Sequence, residues 1–274
     1  PMTAAALARL EARMAAADSL VCVGLDSALG RIPDRFGREN HPQLIFNEWV
    51  IERTLPYAAA YKPNLAFYEA RGAKGWDELA RTMELLRSMA PDVFTIADAK
   101  RADIGSTNAG YVRAIFDELG FDAVTLHPYL GAEALVPFLE REDKASIVLC
   151  RTSNPGAGEL QDLEVGGTPL WETVATRVRD AWNTRGNCLL VVGATYPAEL
   201  ARARELCPDL TFLVPGVGAQ GGDAATVVGA GLDANGRGLL INSSRGIIFA
   251  DDPAAAARAL RDEIREAIAT RGAA

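Results

Sequence analysis

The stretch FTIADAKRADIGST, Phe94 to Thr107, begins as a strand and ends as a cluster of charge. Thr95, Ile96 and Ala97 show no alternation of polar and apolar residues, which suits a strand covered on both faces, as in parallel sheets. Asp98, Lys100, Arg101 and Asp103 then fall within six positions, ahead of a glycine. Seven other runs share this apolar character: LVCVGLD (20–26), AAYKPNLAF (59–67), DAVTLHPY (122–129), ASIVLCRT (145–152), CLLVVGAT (188–195), TFLVPGVG (211–218) and GLLINSSR (238–245). With VFTIADAK (93–100) they make eight.

Between the runs the period becomes helical. Trp76, Leu79, Ala80 and Met83 are spaced i, i+3, i+4, i+7, and so are Val112, Ile115, Phe116 and Leu119, with Gly120 where a C-terminal cap belongs. Thr168-Pro169 reads as a capping residue followed by proline at the first helical position, and Thr195-Tyr196-Pro197 is a looser version. DDPAAAARALRDEIREAIATR closes the chain as a helix, and TAAALARLEARMAAA reads as an amphipathic helix before the first strand. No linker or composition break marks a second domain. Eight strands alternating with helices predict one α/β domain over 1–274, a (β/α)8 TIM barrel with an extra N-terminal helix. A doubly wound sheet is the weaker alternative.

The chain has 274 residues and a formal net charge of −8, which argues against a nucleic-acid partner. No apolar run reaches the ~18 residues of a membrane span, so no membrane partner is expected. The four cysteines are far apart, no CxxC occurs and there are only two histidines, so no metal site is expected. Reduced core thiols in a cytoplasmic protein fit this cysteine pattern.

In a barrel, chemistry collects at the C-terminal ends of the strands. Asp26, Lys62, Asp98, Lys100, His127, the segment Thr152–Gly156 and the segment Asn242–Gly246 all fall there. Asp98 and Lys100, two apart in a strand, are expected on one face with Ile96, toward the barrel interior, and Lys62 on the adjacent strand adds a second cation. Asp103 can turn back or reach a neighbouring subunit. The expected product is an alternating Lys-Asp-Lys-Asp array, for which a purely structural ion-pair plug is the bland alternative. Buried pairs often contribute no net stability, so four such groups point to catalysis. His127 suits either a structural or a catalytic role at the rim.

PGVGAQGG matches a dinucleotide fingerprint letter for letter, but it follows the seventh strand and lacks the acidic partner about twenty positions on. Loops after strands seven and eight of a barrel hold phosphates, and there Gln220 and Arg245 would add donors. A phosphomonoester ligand is expected.

DAKRADIGSTN (Asp98–Asn108), with YKPN upstream and PGVGAQGGD downstream, resembles the orotidine 5′-phosphate decarboxylase family in its longer bacterial form. The resemblance spans nearly the whole chain. It implies decarboxylation of orotidine 5′-phosphate to uridine 5′-phosphate (UMP) and CO2, without metal or organic cofactor. It implies that Lys100 donates a proton to C6, that Asp98 faces the substrate carboxylate, and that Lys62 and Asp103 complete the array. Asp26 and Lys62 would bind ribose, Ser153 and Pro215 would meet the base, and Gln220, Ser244 and Arg245 would take the phosphate. A homodimer is implied, with Asp103, Ile104 and Thr107 contributed across its interface. Two departures stand out: Ser153 sits in TSNPGAG with no histidine beside it, and Ser244 stands where a glycine is common. The alternatives are a Mg2+-dependent sugar-phosphate decarboxylase or aldolase, which Lys62 argues against, and a non-catalytic phosphate-binding barrel.

Overall fold

The computed structural model describes residues 4–217 and 223–272. Eight parallel strands close into a barrel: β1 (Val21–Gly24), β2 (Ala60–Lys62), β3 (Phe94–Arg101), β4 (Ala123–Leu126), β5 (Ala145–Arg151), β6 (Cys188–Val192), β7 (Phe212–Pro215) and β8 (Leu239–Ser243). Their spatial order follows the chain all the way round, and β1 closes on β8 through Val21 with Ile241 and Cys22 with Asn242. A doubly wound sheet would reverse its order at a switch point and leave two edges, so the barrel expectation holds. Each strand falls within one apolar run but is shorter than it, except that β3 reaches one residue further, to Arg101. In the second run Pro63 has no N–H to continue the ladder, and β2 stops at Lys62.

The main helices are α1 (Ala5–Ala17), α2 (Pro42–Thr54), α3 (Ala73–Met89), α4 (Gly105–Val112), α5 (Ala132–Leu139), α6 (Leu170–Arg177), α7 (Pro197–Leu206), α8 (Ala224–Gly231) and α9 (Pro253–Gly272). Pro197 opens α7 as expected. Thr168-Pro169 does not cap a helix in the way expected. Thr168 pairs with Val165 in a short antiparallel hairpin, and α6 starts at Leu170. Gly166 and Gly167, with φ of +63° and +81°, supply the two positive-φ residues that a tight hairpin needs. On α3, Leu79 and Met83 are buried while Trp76 is exposed, because buried Glu78 and Thr82 turn the inner stripe away from it.

Two apolar cores lie on either side of the barrel wall. The inner one stacks Cys22, Phe94, Ile96, Ile147, Leu189, Leu213 and Leu240. The outer one packs the other strand faces against the helices, through residues such as Phe46, Leu79, Phe138, Leu200 and Ile264. The strands are therefore buried on both sides, which is why their sequences do not alternate. From α1, Ala6 and Leu10 join the inner core. Arg13 donates to the carbonyls of Leu55 and Ala58 just before β2, and Arg9 pairs with Asp122 just before β4. Thus α1 seals the N-terminal end of the barrel, and the C-terminal rim is the open one. No described helix is long and apolar enough to cross a membrane.

Candidate active site

Lys62 ends β2 and Asp98 lies on β3, and their side chains meet at the open rim. Lys62 Nζ donates to Asp98 Oδ2 at 2.8 Å, and Lys100 Nζ donates to Oδ1 at 2.5 Å. Burial alone would push the Lys62 ammonium down, but Asp98 and then Asp26 outweigh it and hold its pKa above the usual lysine range. Burial likewise disfavours the charged Asp98 carboxylate, yet Lys62 and Lys100 hold it well below the usual carboxylate range. Both groups are therefore charged across the physiological range. The Lys62 side chain is 5% exposed and that of Lys100 is 50% exposed, so Lys100 presents its ammonium to the opening.

Lys100 does not reach Asp98 by simple strand alternation. Ala97 to Arg101 on β3 spans only Val124 to Leu126 on β4, so β3 bulges between them. At the bulge Lys100 takes a left-handed φ of +47°, and Ala102 has φ +146°. Thr125 Oγ1 accepts from the backbone N–H of both Ala99 and Lys100, at 3.0 Å each, and donates to Asp98 Oδ1 at 3.0 Å. His127 Nε2 lies 2.8 Å from the carbonyl oxygen of Ala102. A carbonyl can only accept, so Nε2 is the donor in this contact, and His127 braces the turn.

Other residues at the rim converge on the same opening. The backbone on both sides of Asp26 is tied down: Leu25 N–H donates to the Lys62 carbonyl at 3.1 Å, Tyr68 donates to the Leu25 carbonyl at 2.8 Å, and Gln43 donates to the Ser27 carbonyl at 2.8 Å. Asp26 Oδ1 is buried and has no hydrogen-bond partner among the described residues. Pro215 ends β7 opposite Asn242 of β8. Ser244 precedes the short helix Arg245–Ile248, with Arg245 exposed at its first position. A Cβ on Gly24 would lie 1.8 Å from Ser244 Oγ, so only glycine lets Ser244 sit against β1. Gly193 does the same for Ser153, whose Cβ would be 2.7 Å from an added one. Gln220 lies outside the described residues.

Asp103 stands apart from the array within one chain. Its Oδ1 accepts the N–H of Ile104 at 2.8 Å, and Asn108 Oδ1 accepts the Asp103 N–H at 2.7 Å. Ile104, 57% exposed, and Thr107 face outward from this turn. Three members of the expected array thus meet in one protomer, and the fourth sits on an exposed turn.

Sequence reasoning passed over Thr125 and Arg151. Threonine in an apolar run reads as ordinary strand propensity, and an arginine at a strand end reads as solvated charge. Yet Arg151 is 4% exposed; it reaches Gln161 at 3.3 Å and Asp162 at 3.4 Å, with its guanidinium 4.6 Å from the Tyr196 ring centre. Gln161 in turn bonds the N–H of Thr152 at 2.9 Å and its hydroxyl at 2.7 Å, so Arg151 anchors the loop that carries Ser153. Cys22, fully buried in the inner core, has its thiol pushed up to about 12 by burial, with Lys62 opposing, and is no nucleophile.

The buried pair makes a stability prediction. Asp98→Ala leaves the Lys62 ammonium buried with only Asp26 to offset it, and breaking such a pair costs roughly 3–5 kcal/mol. Urea melts should show a loss of about that size near pH 7. The Asp98 pKa is depressed on folding, so its contribution is complete above the unfolded carboxylate pKa of about 3.9 and fades as pH falls through the lower folded value. The gap between wild type and Asp98→Ala should therefore stay constant from about pH 5 to 8 and narrow below about pH 4. An unchanged gap at low pH would show that the charge is not what stabilises.

Known proteins resemble this chain over most of its length. The sequence model of the orotidine 5′-phosphate decarboxylase / HUMPS family matches residues 19–260. An orotidine 5′-phosphate decarboxylase of Thermomicrobium roseum is 52% identical over 266 residues, covering 93% of each chain. Among solved structures, Leishmania donovani OMP decarboxylase aligns at a TM-score of 0.86 with 41% identity, covering 96% of this chain and 98% of that one. Leishmania donovani UMP synthase aligns at 0.88 with 43% identity, covering 97% of this chain and 57% of that longer one. With a closed (β/α)8 barrel, a Lys-Asp-Lys cluster at its open rim and a match over most of its length, this chain belongs to the orotidine 5′-phosphate decarboxylase / HUMPS family.

Proposed function

We propose that this chain is a carboxy-lyase that converts orotidine 5′-phosphate to UMP and CO2, the last step of de novo pyrimidine nucleotide synthesis. The observation that carries this is the Asp98 carboxylate clasped between two ammonium groups at the open rim. Loss of CO2 breaks the bond from C6 to the carboxylate and leaves the electron pair on C6, in the ring plane, where it cannot delocalise into the carbonyls. A preorganised cation beside that carbon stabilises the developing charge far better than water does. Lys100, half exposed above the buried Lys62, supplies that cation and then its proton to C6, and solvent restores the ammonium. Asp98 lies against the departing carboxylate.

The remaining roles follow the opening inward. Asp26, whose buried Oδ1 has no partner among the described residues, and Lys62 take the ribose hydroxyls. Ser153 and Pro215 border the base. Arg245, with Ser244 and Gln220, takes the phosphate, and binding there can drive closure over the array. Asp103, Ile104 and Thr107 enter the site of a second copy, which makes the working unit a homodimer. All four cysteines are buried free thiols, which suits a cytoplasmic protein.

A single assay tests the activity: the absorbance of orotidine 5′-phosphate followed with and without a chelator. The expected result is a steady fall at the same rate in both. No fall overturns the assignment, and a fall abolished by chelator points instead to metal-dependent sugar-phosphate chemistry.

A further inference from the structure

We propose that Thr125 is a positioning residue for this decarboxylation, its one hydroxyl fixing both the Asp98 carboxylate and the backbone that aims Lys100. The proposal rests on the function assigned above. A threonine hydroxyl offers one donor and two acceptor lone pairs. Here all three are engaged, by Asp98 Oδ1, Ala99 N–H and Lys100 N–H, each at 3.0 Å.

The bulge creates the need. Between the pairs Ala97–Val124 and Arg101–Leu126, β3 carries more residues than β4 can match. Thr125 lies between those two pairing positions of β4, and its side chain takes up two N–H groups of the bulge. A left-handed φ is unfavourable for a residue with a Cβ, so Lys100 holds +47° only because its surroundings fix it. Asp98 Oδ1 is also the oxygen that receives Lys100 Nζ. The hydroxyl thus meets the catalytic lysine twice, at its backbone and through its counter-ion. Thr125 is 1% exposed and β-branched, so its own rotamer is held in place.

Valine keeps the shape and deletes the hydroxyl; serine keeps the hydroxyl and deletes the methyl. The test compares Thr125→Val, Thr125→Ser and wild type as full-length protein, measuring kcat and KM for orotidine 5′-phosphate, UMP affinity by calorimetry, and thermal unfolding. Thr125→Val is expected to lower kcat by about 10- to 100-fold. Its UMP affinity should stay within about threefold of wild type, because the product has no carboxylate to be faced by Asp98. Thr125→Ser should recover kcat to within about fivefold of wild type. A Thr125→Val enzyme with near-wild-type kcat overturns the proposal, and so does a folded Thr125→Ser as impaired as the valine variant, since the methyl would then be what matters. Parallel losses of kcat and UMP affinity also overturn it, because they mark general damage to the site. If Thr125→Val does not fold, Thr125→Cys, with only a weak donor and acceptor, takes its place under the same expectations. A wild-type protein without turnover would defeat the assigned function itself, whereas an active wild type matched by a near-wild-type kcat in Thr125→Val defeats only the role of Thr125.

Discussion

Replacement of Lys100 by alanine is expected to lower kcat by at least about 10⁴-fold while leaving UMP bound nearly as tightly as before. General acid catalysis contributes about 10²–10⁴-fold, and a preorganised charge at the reacting atom about 10²–10³-fold. In the proposed mechanism Lys100 supplies both to one carbon, so the losses compound. On the proposed assignment, ground-state affinity comes instead from the residues given to the phosphate and the ribose, which lie on other strands. Fold stability should change little, because the Lys100 side chain is half exposed and Lys62 stays to neutralise Asp98. Steady-state kinetics beside UMP calorimetry make the test. Wild-type turnover in the variant would remove Lys100 from the chemistry, and equal losses in both measurements would recast it as a binding residue.

The second large effect concerns Asp103. Within its own chain this carboxylate caps the turn at Ile104 and meets neither Lys62 nor Lys100. If it completes the array of a second copy, Asp103→Ala should lower kcat by about 100-fold or more, as loss of a preorganised charged group does. Lys100→Ala and Asp103→Ala homodimers would then each be nearly inactive for different reasons. Random re-pairing of equal amounts gives half heterodimers, each with one site free of both substitutions. A mixture should therefore regain about one quarter of wild-type activity. Co-expression of the two variants with different tags, followed by assay of the doubly purified heterodimer, should give about one half, since one of its two sites is free of both substitutions. Absence of any recovery would place Asp103 outside the partner's site.

The barrel was legible because its strands are covered on both faces. Unbroken apolar runs such as ASIVLCRT and CLLVVGAT, at that length and spacing, suit little besides strands buried between an inner core and a shell of helices. What the runs overstated was their ends: Leu25 and Asp26 leave the sheet because the rim belongs to loops, and periodicity has no signal for that. The hairpin at Glu164–Pro169 was invisible for another reason. Its two-residue strands are partly or wholly exposed, and its one clue, Gly166-Gly167, stood beside a threonine and proline that also suit a helix start. Lys62, Asp98 and Lys100 were legible because charges at the ends of buried strands conflict with their surroundings. Thr125 was not, since a threonine in a strand conflicts with nothing until its three partners are seen. The bulge was hidden as well: strand alternation put Lys100 beside Asp98 for a reason that the backbone at φ +47° does not follow.

Because α1 seats Ala6 and Leu10 against the underside of the inner core, the barrel, among the described residues, is closed below and open at its C-terminal rim. On the proposed function, nucleotide entry, nucleotide departure and the escape of CO2 would all share that doorway. Any side chain that narrows that doorway slows three passages at once, and any loop that shuts it during the reaction also holds the gas inside with the product. On the proposed assignment the loop pinned by Arg151 and the Ser244–Arg245 corner stand beside that doorway, so a substitution that narrows it there should slow binding and release together.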